Sequence, residues 1–408
     1  MKKIELLAPA GDLERLKTAV RYGADTVYVG GKQFSLRSRA SNFDLEDIQK
    51  GVEFAKKHGA NVHVTVNMLP HEDDLDGLKE YLIALEQAGV TAIIAASPAI
   101  IKCAKTYAPK LEVHVSTQHS ITNSAAANFW EQQGADRIVL ARELTMEQIK
   151  QTQMHTKLPI EVFIHGGMCI SYSGRCMLSN HMTMRDANRG GCAQSCRWKY
   201  RLYKDNTPIH DEQDLFSMSS KDLMAARMIP DLIDANVASL KIEGRMKSTY
   251  YIATLVHTYR MLIDEYYENG RILDKRMEWY CMELAKAENR PTGPGFYLGA
   301  PKAKDHLYGV NGAGVTGEFI AYVLDYDEKT KLATWEVRNR FQKGDEAEIL
   351  APHKEVRSFI INDIFDENRL LIDVANQPMR IVKVHTDVPM EQHAMIRKKM
   401  EKDRFDIY

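Results

Sequence analysis

The chain has 408 residues, 27% charged and 44% hydrophobic, with 54 Lys and Arg against 55 Asp and Glu and a net charge of -1. That length allows two or three domains, and near-neutrality excludes a surface that attracts polyanions everywhere, so a nucleic-acid site must be a local patch. No apolar run approaches the ~18 residues of a membrane span, and acids come too early in Met1–Asp12 for a signal peptide; the expectation is a cytoplasmic protein with no membrane partner.

The first 250 residues alternate strand and helix. Strands are expected at Ile4–Ala8, Thr26–Gly30, Val62–Asn67, Ala92–Ala95, Glu112–Ser116, Arg137–Ala141, Glu161–Ile164 and Ser239–Glu243, with amphipathic helices between them, such as Leu45–His58, Asp74–Gln87 and Asn123–Gln133. Y-G-A-D-T-V-Y-V-G, H-G-A-N-V-H-V-T-V, A-G-V-T-A-I-I-A-A and Q-G-A-D-R-I-V-L-A repeat one grammar: a helix ends, a small residue caps it, and an apolar strand follows. Strands apolar on both faces belong to a parallel sheet covered by helices. Eight such units favour an α/β fold of the (β/α)8, TIM-like type over an open doubly wound sheet. No Gly-x-Gly-x-x-Gly follows a strand, so nothing supports a dinucleotide site. The expected boundaries are a barrel over 1–250, with a cysteine-rich insertion over 165–215 ahead of a helix at Asp222–Ala235.

In such a barrel the residues just past each strand line the active face. Here these include Asn67, Gln118, His119, Arg142, Glu143, His165, Glu243 and Arg245. His63 and His114 lie inside strands and should fill the interior. Glu161, at the start of its strand, fits a structural role as well as a chemical one. Residues 251–300 read as a helical extension and linker, with helices at Tyr251–Asn269 and Lys275–Asn289 before the breaker R-P-T-G-P-G-F. Short alternating runs from Glu318 to Val384 make 314–408 a small all-β barrel, and the segment from Met395 onward reads as a basic, partly mobile tail.

The densest signal is His165–Lys204. It carries Cys169, Cys176, Cys192 and Cys196, and seven Lys or Arg against the single acid Asp186. The spacing C-x6-C-x15-C-x3-C has only one tight pair, whereas zinc sites usually have two. An iron–sulfur cube tolerates wider separations and is favoured over structural zinc or free thiols. Arg197, Trp198 and Lys199 interleave charge with a ring, as a surface for unpaired nucleotides would. Cys103 and Cys281 lie in apolar helical runs and read as small buried side chains.

The same stretch resembles the signature of the collagenase-like peptidase U32 family through Glu161, Phe163, Gly166, Gly167, Met168, Cys169, Gly174, Cys176 and Ser179. Gly167 is a mild departure, since the family usually has Ser or Ala there. L-L-A-P-A-G-D near the N-terminus, S-S-K-D-L at Ser219–Leu223, L-K-I-E-G-R at Leu240–Arg245 and T-G-P-G-F at Thr292–Phe296 extend the resemblance over nearly the whole chain. Within the family the chain is most similar to the branch that hydroxylates the wobble uridine of certain tRNAs at C5, using prephenate; C-A-Q-S-C-R-W favours that branch. Sister branches hydroxylate another RNA or small aromatic precursors. The resemblance implies a 4Fe-4S cluster on Cys169, Cys176, Cys192 and Cys196, tRNA and prephenate as partners, and a related protein or a second copy of the chain as a candidate partner.

His165, Glu243 and Arg245 are then the candidate catalytic groups. Arg37 and Arg39 suit a dicarboxylate such as prephenate by their bidentate forks. Asn67, Gln118, His119, Arg197, Trp198 and Lys199 are the remaining substrate candidates. The peptidase reading stays as the alternative, although neither H-E-x-x-H nor G-x-S-x-G occurs.

Overall fold

The computed structural model describes residues 3–36, 42–209, 215–287, 290–307 and 318–398. Its centre is a closed barrel of eight parallel strands: β1 (Glu5–Pro9), β2 (Thr26–Gly30), β3 (Asn61–Val66), β4 (Ala92–Ala95), β5 (Glu112–Val115), β6 (Arg137–Val139), β7 (Ile160–Gly166) and β8 (Ser239–Ile242). Each strand pairs with the next, and β8 pairs with both β7 and β1, which closes the ring. All eight expected strands are present, within two residues at either end.

Local chemistry sets the helix starts. The carboxylates of Asp12 and Asp44 accept from the amides of Arg15 and Asp47, Asn123 caps from its side chain, and Thr145 forms a capping box with Gln148. The expected helix over Asp222–Ala235 is shorter. Asp222–Met224 is a strand that runs antiparallel to the end of β7, and the helix covers only Ile229–Asp234. Pro230 accounts for this, because it has no amide to donate and fits only the first turn of a helix. Thr249–Asn269 follows β8 and packs on the helix Leu13–Arg21 and on β1.

The interior is ionic near the strand starts. Glu161, fully buried, accepts from Lys241 Nζ at 2.6 Å and Arg137 Nη1 at 3.2 Å, and Arg137 also pairs with Glu5. Burial raises the carboxyl of Glu5, but Arg137 and His63 outweigh it and bring it down to about 2. The rings of His63 and His114 meet edge to face at 4.7 Å inside the barrel, and burial pushes His63 down to about 3. Glu161 thus stands at the floor of the barrel.

The C-terminal unit is an eight-stranded antiparallel sheet. Its outer strands, Arg357–Ile360 and Leu371–Ile372, do not pair with each other among the described residues, so the expected barrel is an open sheet there. Met395–Lys398, expected within a mobile tail, is an inner strand between Glu318–Asp327 and Glu346–Leu350. Its Arg397 is fully buried and paired with Glu348 and with Glu283 on the helix Asp274–Ala285. Tyr22 donates to the carbonyls of Leu350 and His393 or shares its hydroxyl between them at 3.0 Å each, and Tyr250 stacks on Phe319. The sheet is therefore joined to the barrel by a buried contact.

Candidate metal centre and substrate cleft

The insertion begins at a kink in β7. Ser239, Leu240 and Lys241 of β8 pair with Glu161, Val162 and Phe163, but Ile242 pairs with His165, leaving Ile164 as an extra residue. A bulge of this kind reverses which residues face inward. His165 is fully buried, and its Nδ1 lies 3.0 Å from the hydroxyl of Tyr259 on the outer helix Thr249–Asn269. Its ring contacts that helix layer, away from the barrel mouth.

Beyond β7, Arg142 donates to the carbonyl of Gly167 at 2.7 Å with its guanidinium over the Phe163 ring, and Arg197 donates to the carbonyl of Met168 at 3.3 Å. Two guanidinium groups thus hold the two residues ahead of Cys169. A Cβ built on Gly167 would lie 3.2 Å from Arg197 Nη2, so the bare position lets Arg197 close in. Glu143 accepts from the amide and hydroxyl of Ser173, between the first two cysteines. Arg189 grips Asp74 with two hydrogen bonds of 2.9 and 2.7 Å, and Asn188 accepts from the amide of Leu69 while donating to the carbonyl of Cys176. The insertion is therefore tied to the loop after β3.

The thiols share one neighbourhood. Burial raises Cys169 and Cys196, and neighbouring cysteines raise them further: Cys176 and Cys192 act on Cys169, and all three others act on Cys196. Thiolates around a single zinc, bonded at ~2.3 Å, would stand within ~4 Å of one another. Among the described residues no three Cys, His, Asp or Glu side chains form a group able to hold one ion. The four sulfurs are close enough to act on one another electrostatically. The amides of Ser171 and Leu178 donate to the sulfurs of Cys169 and Cys176 at 3.4 and 3.3 Å. Such donors stabilise ligating thiolates and tune a cluster.

The other sequence candidates separate. Arg245, buried, donates to Ser35, Thr65 and Asn42 across the mouth and covers Gly30. Glu243 lies beside Gly167, and its carbonyl accepts from Tyr251. Asn67 donates to Gln118 Oε1, which also accepts from Ser116, while Gln118 Nε2 is buried with no hydrogen-bond partner. His119 packs against Trp130 and is pushed down to about 4 by burial and by Arg175. Arg197 turns inward, with Asp222 3.8 Å away. Trp198 is 41% exposed, and Lys199 is exposed. Arg37 and Arg39 lie outside the described residues. Of the seven basic residues of the insertion, Arg189 and Arg197 are engaged with the protein itself, and Arg175, Arg185, Lys199, Arg201 and Lys204 are exposed.

A cleft of about 600 Å³ opens between the loop after β2, the loop after β3 and the insertion, lined among others by Phe34, Ser35, Met68, Met184, Arg185 and Arg189. Sequence reading missed it, and missed the Arg189–Asp74 and Asn188–Leu69 ties behind it. These join residues more than a hundred positions apart, and no local periodicity signals them.

Family models match the chain twice: Peptidase family U32 over residues 11–307, and its C-terminal domain over residues 316–397. The chain belongs to peptidase family U32. The tRNA hydroxylation protein P1 of Bacillus subtilis (strain 168) is 47% identical to this U32 chain over 97% of it and 95% of the relative. The 23S rRNA 5-hydroxycytidine synthase of Escherichia coli (strain K12) is 41% identical over 64% of this chain and 39% of its own. The collagenase of Porphyromonas gingivalis (strain ATCC BAA-308 / W83) is 34% identical over 85% and 86%. U32 relatives thus carry hydroxylase and protease names alike. Among the described residues no helix is long and apolar enough to cross a membrane.

Proposed function

We propose that this chain is an RNA-modifying hydroxylase that places a hydroxyl group on C5 of the wobble uridine of tRNA, with a 4Fe-4S cluster on Cys169, Cys176, Cys192 and Cys196 and prephenate as co-substrate. The observation that carries the reading is the thiol neighbourhood beside a cleft at the C-terminal face of the barrel, where this fold keeps its chemistry. The full-length relative named for tRNA hydroxylation supports the choice of RNA. The choice of uridine, of the cluster and of prephenate extends the family resemblance.

In this reading a cluster on the four cysteines supplies electron transfer, or an open iron if one thiol stays off. The chain's own residues do the rest. Arg142 and Arg197 fix the approach to Cys169, and the amides of Ser171 and Leu178 support the two ligating sulfurs. Gln118 presents a buried amide donor at the barrel mouth, where a carboxylate or a base carbonyl would bind, while Arg245 ties the mouth together through Ser35, Thr65 and Asn42.

The test has two parts. Iron and sulfide are measured after anaerobic purification, with about four of each per chain expected. The protein is then incubated with unmodified tRNA and prephenate, and the nucleosides are analysed by mass spectrometry for 5-hydroxyuridine. Iron-free protein that cleaves collagen-type peptides would instead favour the activity for which other relatives are named.

A further inference from the structure

Two bulky residues at the cleft hold a backbone conformation that side chains disfavour. Phe34 has φ 57°, and Met184 has φ 56° and ψ 23°. Met184 ends the short helix Leu178–Thr183, at the position where glycine or asparagine usually takes the left-handed turn. Its side chain offers folding nothing in return. At 94% exposure it is the most exposed large hydrophobic among the described residues. Strain kept where it brings no packing points to function.

Both residues line the same cleft, and its size falls within the ~300–1,000 Å³ of small-molecule sites. Phe34 and Met68 supply flat apolar surface, and Ser35 and Gln33 supply polar groups. Arg185, next to Met184, is exposed at the lip. Asp74 is paired with Arg189, while Asp73 and Asp76 are exposed acceptors at the opposite rim. One exposed cation against two exposed anions does not attract a phosphate chain, but carboxylates do accept from the N–H edge of a base. The far wall is tied to the carbonyl of Cys176 through Asn188.

We propose that Met184 is a wedge that inserts into the base stack of the RNA, and that the cleft between Met184, Phe34 and Met68 receives the displaced pyrimidine. The inference rests on the RNA-hydroxylase reading and adds to it the residue that opens the stack. Apolar side chains, methionine among them, unstack bases by insertion in other nucleic-acid complexes, and an enzyme acting on a ring atom must take the base out of its stack. The unbranched thioether suits the task because it is thin and polarizable.

The test uses an anticodon stem-loop RNA with 2-aminopurine on the 3′ side of the target uridine, whose fluorescence rises when its neighbour leaves the stack. Wild-type protein should raise the fluorescence. Met184→Gly should bind the RNA and melt at the same temperature or higher, because it relieves the backbone, yet lose the rise and slow hydroxylation by roughly tenfold to a few hundredfold. Met184→Leu should keep most of both, and Met154→Ala, an exposed methionine on another helix, should change neither. Met184→Gly with full fluorescence and rate overturns the wedge while leaving the hydroxylase reading intact. Wild-type protein that binds no RNA overturns both.

Discussion

Arg197, next to Cys196, donates through Nη2 to the carbonyl of Met168, next to Cys169, at 3.3 Å. The hydrogen bond joins the last cysteine of the insertion to the first across 29 residues of chain. Its guanidinium also faces the buried carboxylate of Asp222. Arg197→Ala would leave both acceptors without this donor, at a cost of about 1–3 kcal/mol. The expected outcome is a protein with less than half the wild-type iron, measured by colorimetric assay, and an unchanged salt dependence of tRNA binding. A flattened salt slope with full iron would assign Arg197 to the phosphates instead.

Cys169→Ala, Cys176→Ala, Cys192→Ala and Cys196→Ala should each abolish visible absorbance and hydroxylation. Cys103→Ala and Cys281→Ala should leave both, since Cys103 is half-buried on an outer helix and Cys281 is buried in the core. Absorbance spectra of the six variants, prepared anaerobically, check this. A colourless Cys281→Ala protein of normal stability would contradict the assignment.

Arg397 carries the joint between sheet and barrel. Removing one partner of a buried ion pair costs about 3–5 kcal/mol, because the charges left behind remain buried. Arg397→Ala should lower unfolding stability by that amount in urea titration, through the stranded Glu283 and Glu348. A chain that stops before the sheet should also be unstable, having lost the partners of Tyr22 and Glu283 and the apolar cover given by Leu350 and Met395.

Acid should unfold the barrel through His63. Its ordinary value is 6.5, and burial holds it at about 3 in the folded state. Above pH 6.5 the ring is neutral in both states. Below that pH the unfolded chain takes up a proton that the folded barrel refuses, so stability falls as pH falls, by about 1.4 kcal/mol per unit per proton. Between pH 6.5 and 5 the loss from His63 alone is about 2 kcal/mol. Glu5, held at about 2, adds a loss in the same direction below pH 4.5. Urea unfolding of wild type and His63→Gln across this range should show a shallower pH slope in the variant.

The barrel was legible because most strands are short apolar runs and several helices begin at a capping side chain, both of which are local signals. The four cysteines were legible through their density. What escaped depends on contacts between distant residues. Met395–Lys398 looked like tail because Arg397 and Lys398 are charged, yet Arg397 finds Glu283 at a distance of 114 residues. The basic insertion looked like a phosphate surface because nothing local shows that Arg189 meets Asp74. Asp222–Met224 has the composition of a helix start and became a strand by pairing beside β7.

The extra residue in β7 sets the phase of everything after it. With Ile164 kept in regular alternation, His165 would fall on the face of Glu161 and Phe163, toward the barrel axis; the bulge at Ile164 turns it out to Tyr259 instead. The carbonyls of Gly167 and Met168, which meet Arg142 and Arg197, lie just beyond that bulge, so the direction in which the chain leaves the barrel toward Cys169 is set there. One unpaired strand residue inside the barrel thus decides which way the segment that carries the first cysteine departs, a choice made before the insertion begins.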